Sequence, residues 1–263
     1  MFFTNACAME YYTKKLGVVM QENSNDSGKA RDFFVHPTAQ VLGSNTIGKG
    51  AHIGAFCVVE DCEIGDGAKV DFCSSVRRAK IGKECFVMRS MVEDCVLQKM
   101  CKIINSNLYG NVKIGANTLV RNSEIYDNID IGQNATVGVF AHVHNNCKIG
   151  DFARVGNFVE LKKTTVCSGA KCAHLAYLGD GEIGENTNIG AGTIFCNYDG
   201  KNKFPTRVGA RCFVGSNCTL IAPLSIGDDC FIGADSCVCE DLPSGTFFVR
   251  RSKDTKQRRR KDG

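Results

Sequence analysis

A six-residue repeat is the feature of this sequence that most restricts its fold. An aliphatic residue followed by glycine recurs at six-residue steps, as in Ile47-Gly48 and Ile53-Gly54. This period fits neither a helix of 3.6 residues per turn nor the two-residue alternation of an ordinary strand. It indicates a short strand followed by a corner, so that three sides close one coil of about 18 residues. Each side then points one aliphatic side chain into a narrow core.

The extent of the repeat sets the predicted domain organisation. It runs from Val35 to Val249, so we predict an all-β parallel solenoid over residues 35–249, preceded by a lead-in over 1–34 and followed by a basic tail over 250–263. Stacked strands lie about 4.8 Å apart. The regular stretches predict roughly ten coils and a height on the order of 50 Å.

Two stretches depart from the period. The repeat is weak over Met88–Val112 and is lost over Phe195–Arg207, where the sequence is FCNYDGKNKFPTR. The second stretch is polar, basic and rich in turn-forming residues, so it predicts a loop that leaves the prism. Such an excursion from a regular scaffold is a natural place for binding or catalysis.

The repeat has a small core position that explains many of the cysteines of the chain. Six of the sixteen cysteines fall four residues after the aliphatic residue, where alanine, threonine or serine stands elsewhere: Cys57, Cys85, Cys147, Cys212, Cys218 and Cys230. Cysteine acts there as a small buried hydrophobe. No two cysteines have the C-x2-C spacing of a zinc knuckle, and we predict no metal site. Cys212 and Cys230 lie one coil apart, but a reducing cytoplasm disfavours a disulfide.

Composition and termini bear on location and partners. No stretch approaches the roughly 20 consecutive apolar residues of a membrane helix, and the N-terminus lacks the apolar core of a secretory signal. We therefore predict a cytoplasmic protein without a membrane partner. The tail RRSKDTKQRRRKDG is basic but has no aromatic residues between its charges, so we predict a solvated terminus without a nucleic-acid partner.

The segment from Val155 to Arg251 resembles a known enzyme family. Its sequences VGNFVELKK, AHLAYLGDGEIGENTNIGAGTIFCNYDGKNKF and VGSNCTLIAPLSIG are similar to the acetyltransferase half of the bifunctional N-acetylglucosamine-1-phosphate uridylyltransferase/glucosamine-1-phosphate acetyltransferases, a hexapeptide-repeat family. The resemblance implies a left-handed parallel β-helix that forms a homotrimer with active sites between subunits. Residues 1–34 contain no Gly-rich phosphate loop, so we expect no uridylyltransferase activity from this chain.

The same resemblance implies an acetyl-CoA-dependent amino-sugar N-acetyltransferase and assigns its residues. The acceptor would be glucosamine 1-phosphate, a related hexosamine phosphate or a nucleotide sugar. His174 matches the catalytic base, a role that suits an imidazole because it titrates near neutral pH. The residues that hold the amino-sugar phosphate match Lys162, Tyr177 and Asn188, and Lys203 is a further phosphate contact. The residues that contact acetyl-CoA match Ala191, Asn197, Tyr198, Ser216, Ala234 and Arg251.

One position departs from the family pattern. Where the family has an arginine that grips the sugar phosphate, this chain has His144. A neutral imidazole binds phosphate more weakly than a bidentate guanidinium does. Either Lys162 and Lys203 hold the phosphate without it, or the acceptor differs from glucosamine 1-phosphate.

Two other functions compete with acyl transfer. A non-catalytic scaffold or regulatory subunit would need neither His174 nor the NYDGKNKF loop, although the missing arginine would suit a degenerate site. A zinc hydratase of the carbonic anhydrase type is favoured by His142 and His144, which alternate along one strand and share a face. The ligand histidines of that family lie five residues apart, however, and no two histidines here have that spacing.

Overall fold

The computed structural model describes residues 32–250 as a β-helix. Short parallel strands wind around a single core and form three faces, which we call A, B and C in the order in which the chain visits them. The helix is left-handed, so the predicted fold class is confirmed. The lead-in and the basic tail that the sequence predicts lie almost wholly outside the described residues.

Face A contains thirteen strands that stack in parallel. They are β1 (Phe34–Val35), β4 (His52–Ile53), β7 (Lys69–Asp71), β10 (Phe86–Met88), β12 (Lys102–Ile104), β14 (Leu119–Arg121), β17 (Thr136–Val137), β20 (Arg154–Asn157), β23 (Lys171–His174), β26 (Asn188–Ile189), β29 (Phe213–Val214), β32 (Phe231–Ile232) and β34 (Phe247–Phe248).

Face B follows face A in every coil but the last. Its strands are β2 (Gln40–Leu42), β5 (Val58–Glu60), β8 (Ser75–Arg77), β11 (Met91–Leu97), β13 (Asn107–Ile114), β15 (Glu124–Tyr126), β18 (His142–Val143), β21 (Glu160–Lys162), β24 (Tyr177–Gly179), β27 (Ile194–Cys196), β30 (Thr219–Ile221) and β33 (Cys237–Val238).

Face C completes the coil. Its own strands are β3 (Thr46–Ile47), β6 (Glu63–Ile64), β9 (Lys80–Ile81), β16 (Ile129–Ile131), β19 (Lys148–Ile149), β22 (Thr165–Val166), β25 (Gly181–Ile183), β28 (Thr206–Val208) and β31 (Leu224–Ile226). The long strands β11 and β13 bend from face B into face C, because each pairs with strands of both faces.

The number of coils differs from the prediction of roughly ten. The thirteen strands of face A correspond to about thirteen turns. The difference comes from the stretch Met88–Val112, whose weak period does not interrupt the coil. Its strands β11, β12 and β13 pair in parallel with strands of the coils before and after them, with one register shift in β11 between Glu93 and Cys95. The predicted excursion is confirmed: the chain leaves the prism after Cys196 and returns at Thr206.

The core is a column of stacked aliphatic and small side chains. Residues such as Ile53, Leu161 and Leu178 are fully buried, as are all six cysteines that the repeat predicted to face inward. The cysteines are free thiols. At the predicted close pair, the backbone N–H of Cys230 donates to Cys212 Sγ at 3.4 Å, so the thiol of one coil caps the backbone of the next. No helix that could cross a membrane is found in residues 32–250.

We expect the core thiols to be unreactive in the native protein. Burial raises the pKa of the Cys95 thiol to about 12, whereas Cys73 and Cys239 are exposed. A brief iodoacetamide pulse at about pH 8, followed by peptide mapping, should label Cys73 and Cys239 and leave Cys95 unmodified until denaturant is added, because the thiolate is the reacting form. Rapid labelling of Cys95 in the folded protein would contradict the burial of this thiol in the core.

Candidate active site

Face B carries a polar cluster in the coils of β21 and β24. Lys162 ends β21 and lies in register with Gly179 of β24. A Cβ at Gly179 would lie 2.6 Å from both Tyr177 Oη and Asn197 Nδ2. Tyr177 and Asn197 therefore meet over Gly179, where only glycine leaves room for both side chains. The structure thus brings together Lys162, Tyr177 and Asn197, three of the residues that the sequence predicted.

Asn197 anchors the start of the excursion loop. It is 4% exposed, and its Nδ2 donates to Asp180 Oδ2 at 2.6 Å. Its backbone carbonyl accepts a hydrogen bond from the N–H of Phe204 at 2.8 Å, which joins the two ends of the loop. Sequence reasoning missed the roles of Gly179 and Asp180, although both stand in the LGD sequence that carries the family resemblance.

The loop itself presents an exposed phenol and an exposed amine. Tyr198 and Lys203 form an antiparallel bridge, and Tyr198 Oη donates to the carbonyl of Gly200 at 2.7 Å. Asp199 holds the turn because its carboxylate accepts the backbone N–H groups of Asn202 and Lys201, and these bonds lower the pKa of Asp199. Neither Lys203 nor the half-buried Lys162 forms an ion pair within the described part of the chain.

His144 lies beside Lys162 on face B, and its ring already contacts two other side chains. Its Nε2 lies 3.0 Å from Glu160 Oε1, and its ring centroid is 3.9 Å from that of His142. Tyr126 Oη lies 2.5 Å from His142 Nε2. Burial, with a smaller contribution from His144, lowers the pKa of His142. Between residues 32 and 250 no three His, Cys, Asp or Glu side chains are grouped to hold a metal ion.

His174 lies elsewhere, at the corner where the chain passes from face A to face B. The strand register puts Ala191, Ser216 and Ala234 at the same corner of the next three coils. Backbone hydrogen bonds link this column, since the carbonyl of Ala191 accepts from Asn217 at 2.7 Å and that of Ser216 from Asp235 at 2.8 Å. The exposed ring of His174 makes no hydrogen bond to any other described residue.

The predicted site residues therefore fall into separate places on one chain. His174 lies at the corner between faces A and B, whereas the loop of Tyr198 and Lys203 leaves at the corner between faces B and C. Asn188 lies on face A, in register with Lys171 and Phe213. Arg251 lies outside the described residues.

The fold and the repeat define a hexapeptide-repeat protein. The family model described as "Bacterial transferase hexapeptide (six repeats)" matches residues 128–163. The model described as "Hexapeptide repeat of succinyl-transferase" matches residues 205–221 and 223–245.

Curated relatives of this chain carry the name bifunctional protein GlmU. The protein from Koribacter versatilis is 34% identical over 93% of this chain and 53% of its own length. The one from Nitratidesulfovibrio vulgaris is 41% identical over 84% and 39%, and the one from Aquifex aeolicus is 52% identical over 44% and 25%. The predicted resemblance to the acetyltransferase half of these proteins is confirmed. The chain spans about half or less of the length of the relatives it matches.

Solved structures match more distantly. The UDP-N-acetylglucosamine acyltransferase from Campylobacter jejuni is 16% identical over 79% of this chain and 68% of that chain, with a TM-score of 0.28. A score this low supports no conclusion about function.

Removal of the Asp180 carboxylate should loosen the excursion loop. The variant Asp180→Ala leaves the buried Asn197 amide without its charged acceptor, which costs about 1–3 kcal/mol. We expect lower unfolding stability and faster amide hydrogen exchange over residues 198–203. Asp130→Ala, which removes an exposed carboxylate from face C, is the matched control. Equal exchange in both variants would show that Asp180 does not hold the loop.

Proposed function

We propose that this protein transfers the acetyl group of acetyl-CoA to the amine of an amino sugar, in the cytoplasm. The observation that carries the proposal is the corner column. His174, the predicted base, lies in line with Ala191, Ser216 and Ala234, three of the predicted donor contacts, over consecutive coils. The confirmed resemblance to the acetyltransferase half of GlmU proteins supports the same chemistry.

His174 would act as the general base of this reaction. The amine nitrogen attacks the thioester carbon, His174 accepts the proton that the nitrogen loses, and CoA leaves as the thiol after protonation of its sulfur. The ring of His174 is exposed and unpartnered in the described chain, so it is available to a substrate without breaking an existing bond. A positioned base of this kind contributes a rate factor of roughly 10²–10⁴.

The cluster on face B would hold the acceptor. Lys162 is half-buried and has no carboxylate partner among the described residues, which suits an anion. Tyr177 supplies a hydroxyl beside it, and Lys203 of the loop supplies a second cation. Asn197, which the sequence predicts to contact acetyl-CoA, adjoins this cluster. An acceptor phosphate at Lys162 would lie close to the Glu160 carboxylate, which His144 binds at 3.0 Å. Because Glu160 occupies His144, we expect Lys162 and Lys203 to hold most of the acceptor phosphate.

A homotrimer would bring these parts together. In one chain, face B separates His174 from the loop of Tyr198 and Lys203. When three prisms turn the same face toward a common axis, the corner on one side of that face meets the opposite corner of the neighbour. The loop of one subunit would then complete the site at the His174 of the next.

Substitution of the base tests the proposed function directly. His174→Ala should lower kcat for acetyl transfer by roughly 10²–10⁴ without changing the fold, because only the proton acceptor is lost. CoA thiol release at saturating substrates measures the effect, and circular dichroism checks the fold. His36→Ala, which changes a half-buried histidine in the first coil of the prism, is the control. An unchanged rate for His174→Ala would exclude it as the base.

Subunit complementation tests the shared site. His174→Ala and Lys203→Ala chains should each be impaired, but a co-expressed mixture should regain activity. If the two residues come from different subunits, about a quarter of the sites in randomly mixed trimers carry both intact groups. A mixture that is no more active than its components would place both residues in one chain's site, or show that no trimer forms.

The role of His144 can be separated from acyl transfer itself. If the acceptor carries a phosphate near this side chain, His144→Arg should tighten its binding by on the order of 1–2 kcal/mol, the gain from a charge-assisted bond. The KM of glucosamine 1-phosphate relative to glucosamine measures this effect. The neutral variant His144→Gln should leave that ratio unchanged. A weaker preference for phosphate in His144→Arg would show that the acceptor places no phosphate there.

A further inference from the structure

Face A carries positive charge that nothing on the face balances. Its strands from Phe86 to Phe248 contain no aspartate or glutamate. The same strands contain four exposed cations that form no ion pair with any described residue, namely Lys102, Arg121, Arg154 and Lys171. The other two faces differ. Arg77 pairs with Glu60 of the preceding coil on face B. Lys80 pairs in the same way with Glu63 on face C.

Three of these cations share one column with three exposed phenylalanines. The strand register aligns one side chain per coil along this column, in the order Lys102, Leu119, Thr136, Arg154, Lys171, Asn188, Phe213, Phe231 and Phe247. At about 4.8 Å per coil, the cationic part is about 19 Å long and the whole column is about 38 Å long. A ligand that follows the column therefore meets positive charge first and apolar rings next.

The phenylalanines present ring edges rather than ring faces. The rings of Phe213 and Phe231 stack at 5.0 Å with planes 14° apart, and those of Phe231 and Phe247 stack at 5.2 Å with planes 6° apart. Because each ring covers its neighbour, no nucleobase can insert between them, and single-stranded nucleic acid loses the stacking on which it depends. Exposed fractions of 44%, 42% and 72% leave the ring edges open to aliphatic side chains.

The shape of the proposed homotrimer favours an extended chain as the ligand. With face B turned toward the common axis, faces A and C lie outside, and face A of one subunit borders a valley with face C of the next. An extended chain can enter such a valley, whereas a flat bilayer would rest on the outer corners of the prisms. This step alone rests on the assembly that belongs to the proposed function.

We infer that face A binds an extended acidic segment of a partner protein. Acidic residues of the segment lie along the column from Lys102 to Lys171, and apolar residues that follow them pack on the phenylalanine edges. At about 3.3 Å per extended residue, the cations span about six residues of the partner and the rings about three more, after a short spacer. The inference adds a protein partner to a chain whose proposed function needs only small molecules.

A designed peptide tests the cationic half of the column. The probe is a fluorescein-labelled peptide of about six glutamates, a Gly-Ser-Gly spacer and about three leucines. Fluorescence anisotropy should show saturable binding that weakens as salt is raised, because exposed charges are screened. Lys171→Glu should weaken binding about 10-fold, since it places like charges opposite each other, and Arg154→Glu replaces it if it does not fold. Lys148→Glu, which changes an exposed lysine of face C, is the matched control and should bind as the wild type does.

A second pair of variants tests the apolar half. Phe231→Ser should weaken binding of the probe about fivefold, because apolar contact with the leucines is lost. It should not change binding of a second probe in which serines replace the leucines. Phe152→Ser is the control, because Phe152 is 62% exposed but lies at the corner between faces C and A. Equal weakening of both probes by Phe231→Ser would contradict the apolar contact.

The remaining outcomes separate this inference from its alternatives. Absence of saturable binding to the wild type overturns it, as does equal weakening by Lys171→Glu and Lys148→Glu, which net charge alone would explain. Tighter binding of oligouridine, or of phosphatidylcholine vesicles that contain phosphatidylserine, assigns the face to nucleic acid or to a membrane instead. Weaker binding that accompanies loss of the oligomer in light scattering also counts against it. Thiol release from acetyl-CoA is measured separately, so the proposed function can fail while peptide binding persists, and the reverse.

Discussion

Hydrogen bonding between successive coils is the constraint on which this structure depends. On face A the strands of successive coils pair in parallel from Phe34 to Phe248, and faces B and C stack in the same way with one register shift between Glu93 and Cys95. All strands except β11 and β13 have only two to four residues and little stability alone, but thirteen stacked layers add their backbone bonds and bury one continuous core. Corner geometry follows from this stacking: a Cβ at positions such as Gly215 would collide with the backbone of the next coil.

The same stacking organises the candidate site. The strand register aligns residues that are far apart in sequence into straight columns along the prism. One such column at a single corner contains His174, Ala191, Ser216 and Ala234. It also separates groups that the chemistry needs together, because the excursion loop leaves from the opposite edge of face B. A second copy of the chain is the simplest means of joining them. The proposed function would therefore depend on the assembly of subunits as well as on the structure of one chain.

Much of the fold was predictable because the six-residue period of the sequence directly reflects which side chains pack into the core. The six-residue spacing predicted the stacked coils, the inward cysteines and the excursion after Phe195. The coil count was underestimated because the strands of Met88–Val112 pair continuously with the neighbouring coils although the six-residue period is weak there. Site residues were predictable only through the family resemblance, and their grouping was not. Tyr177 and Asn197 meet over Gly179, and Glu160 binds His144, because of register between coils, which no local sequence pattern reports.

We propose that this chain transfers the acyl group of acetyl-CoA to the amine of an amino sugar, with His174 as the base. The most direct measurement is CoA thiol release from acetyl-CoA in the presence of glucosamine, glucosamine 1-phosphate and a nucleotide-linked amino sugar, with His174→Ala protein in parallel. The account predicts thiol release with at least one of these acceptors and a large loss of rate in the variant. Thiol release with none of them, or an equal rate in His174→Ala, would contradict it.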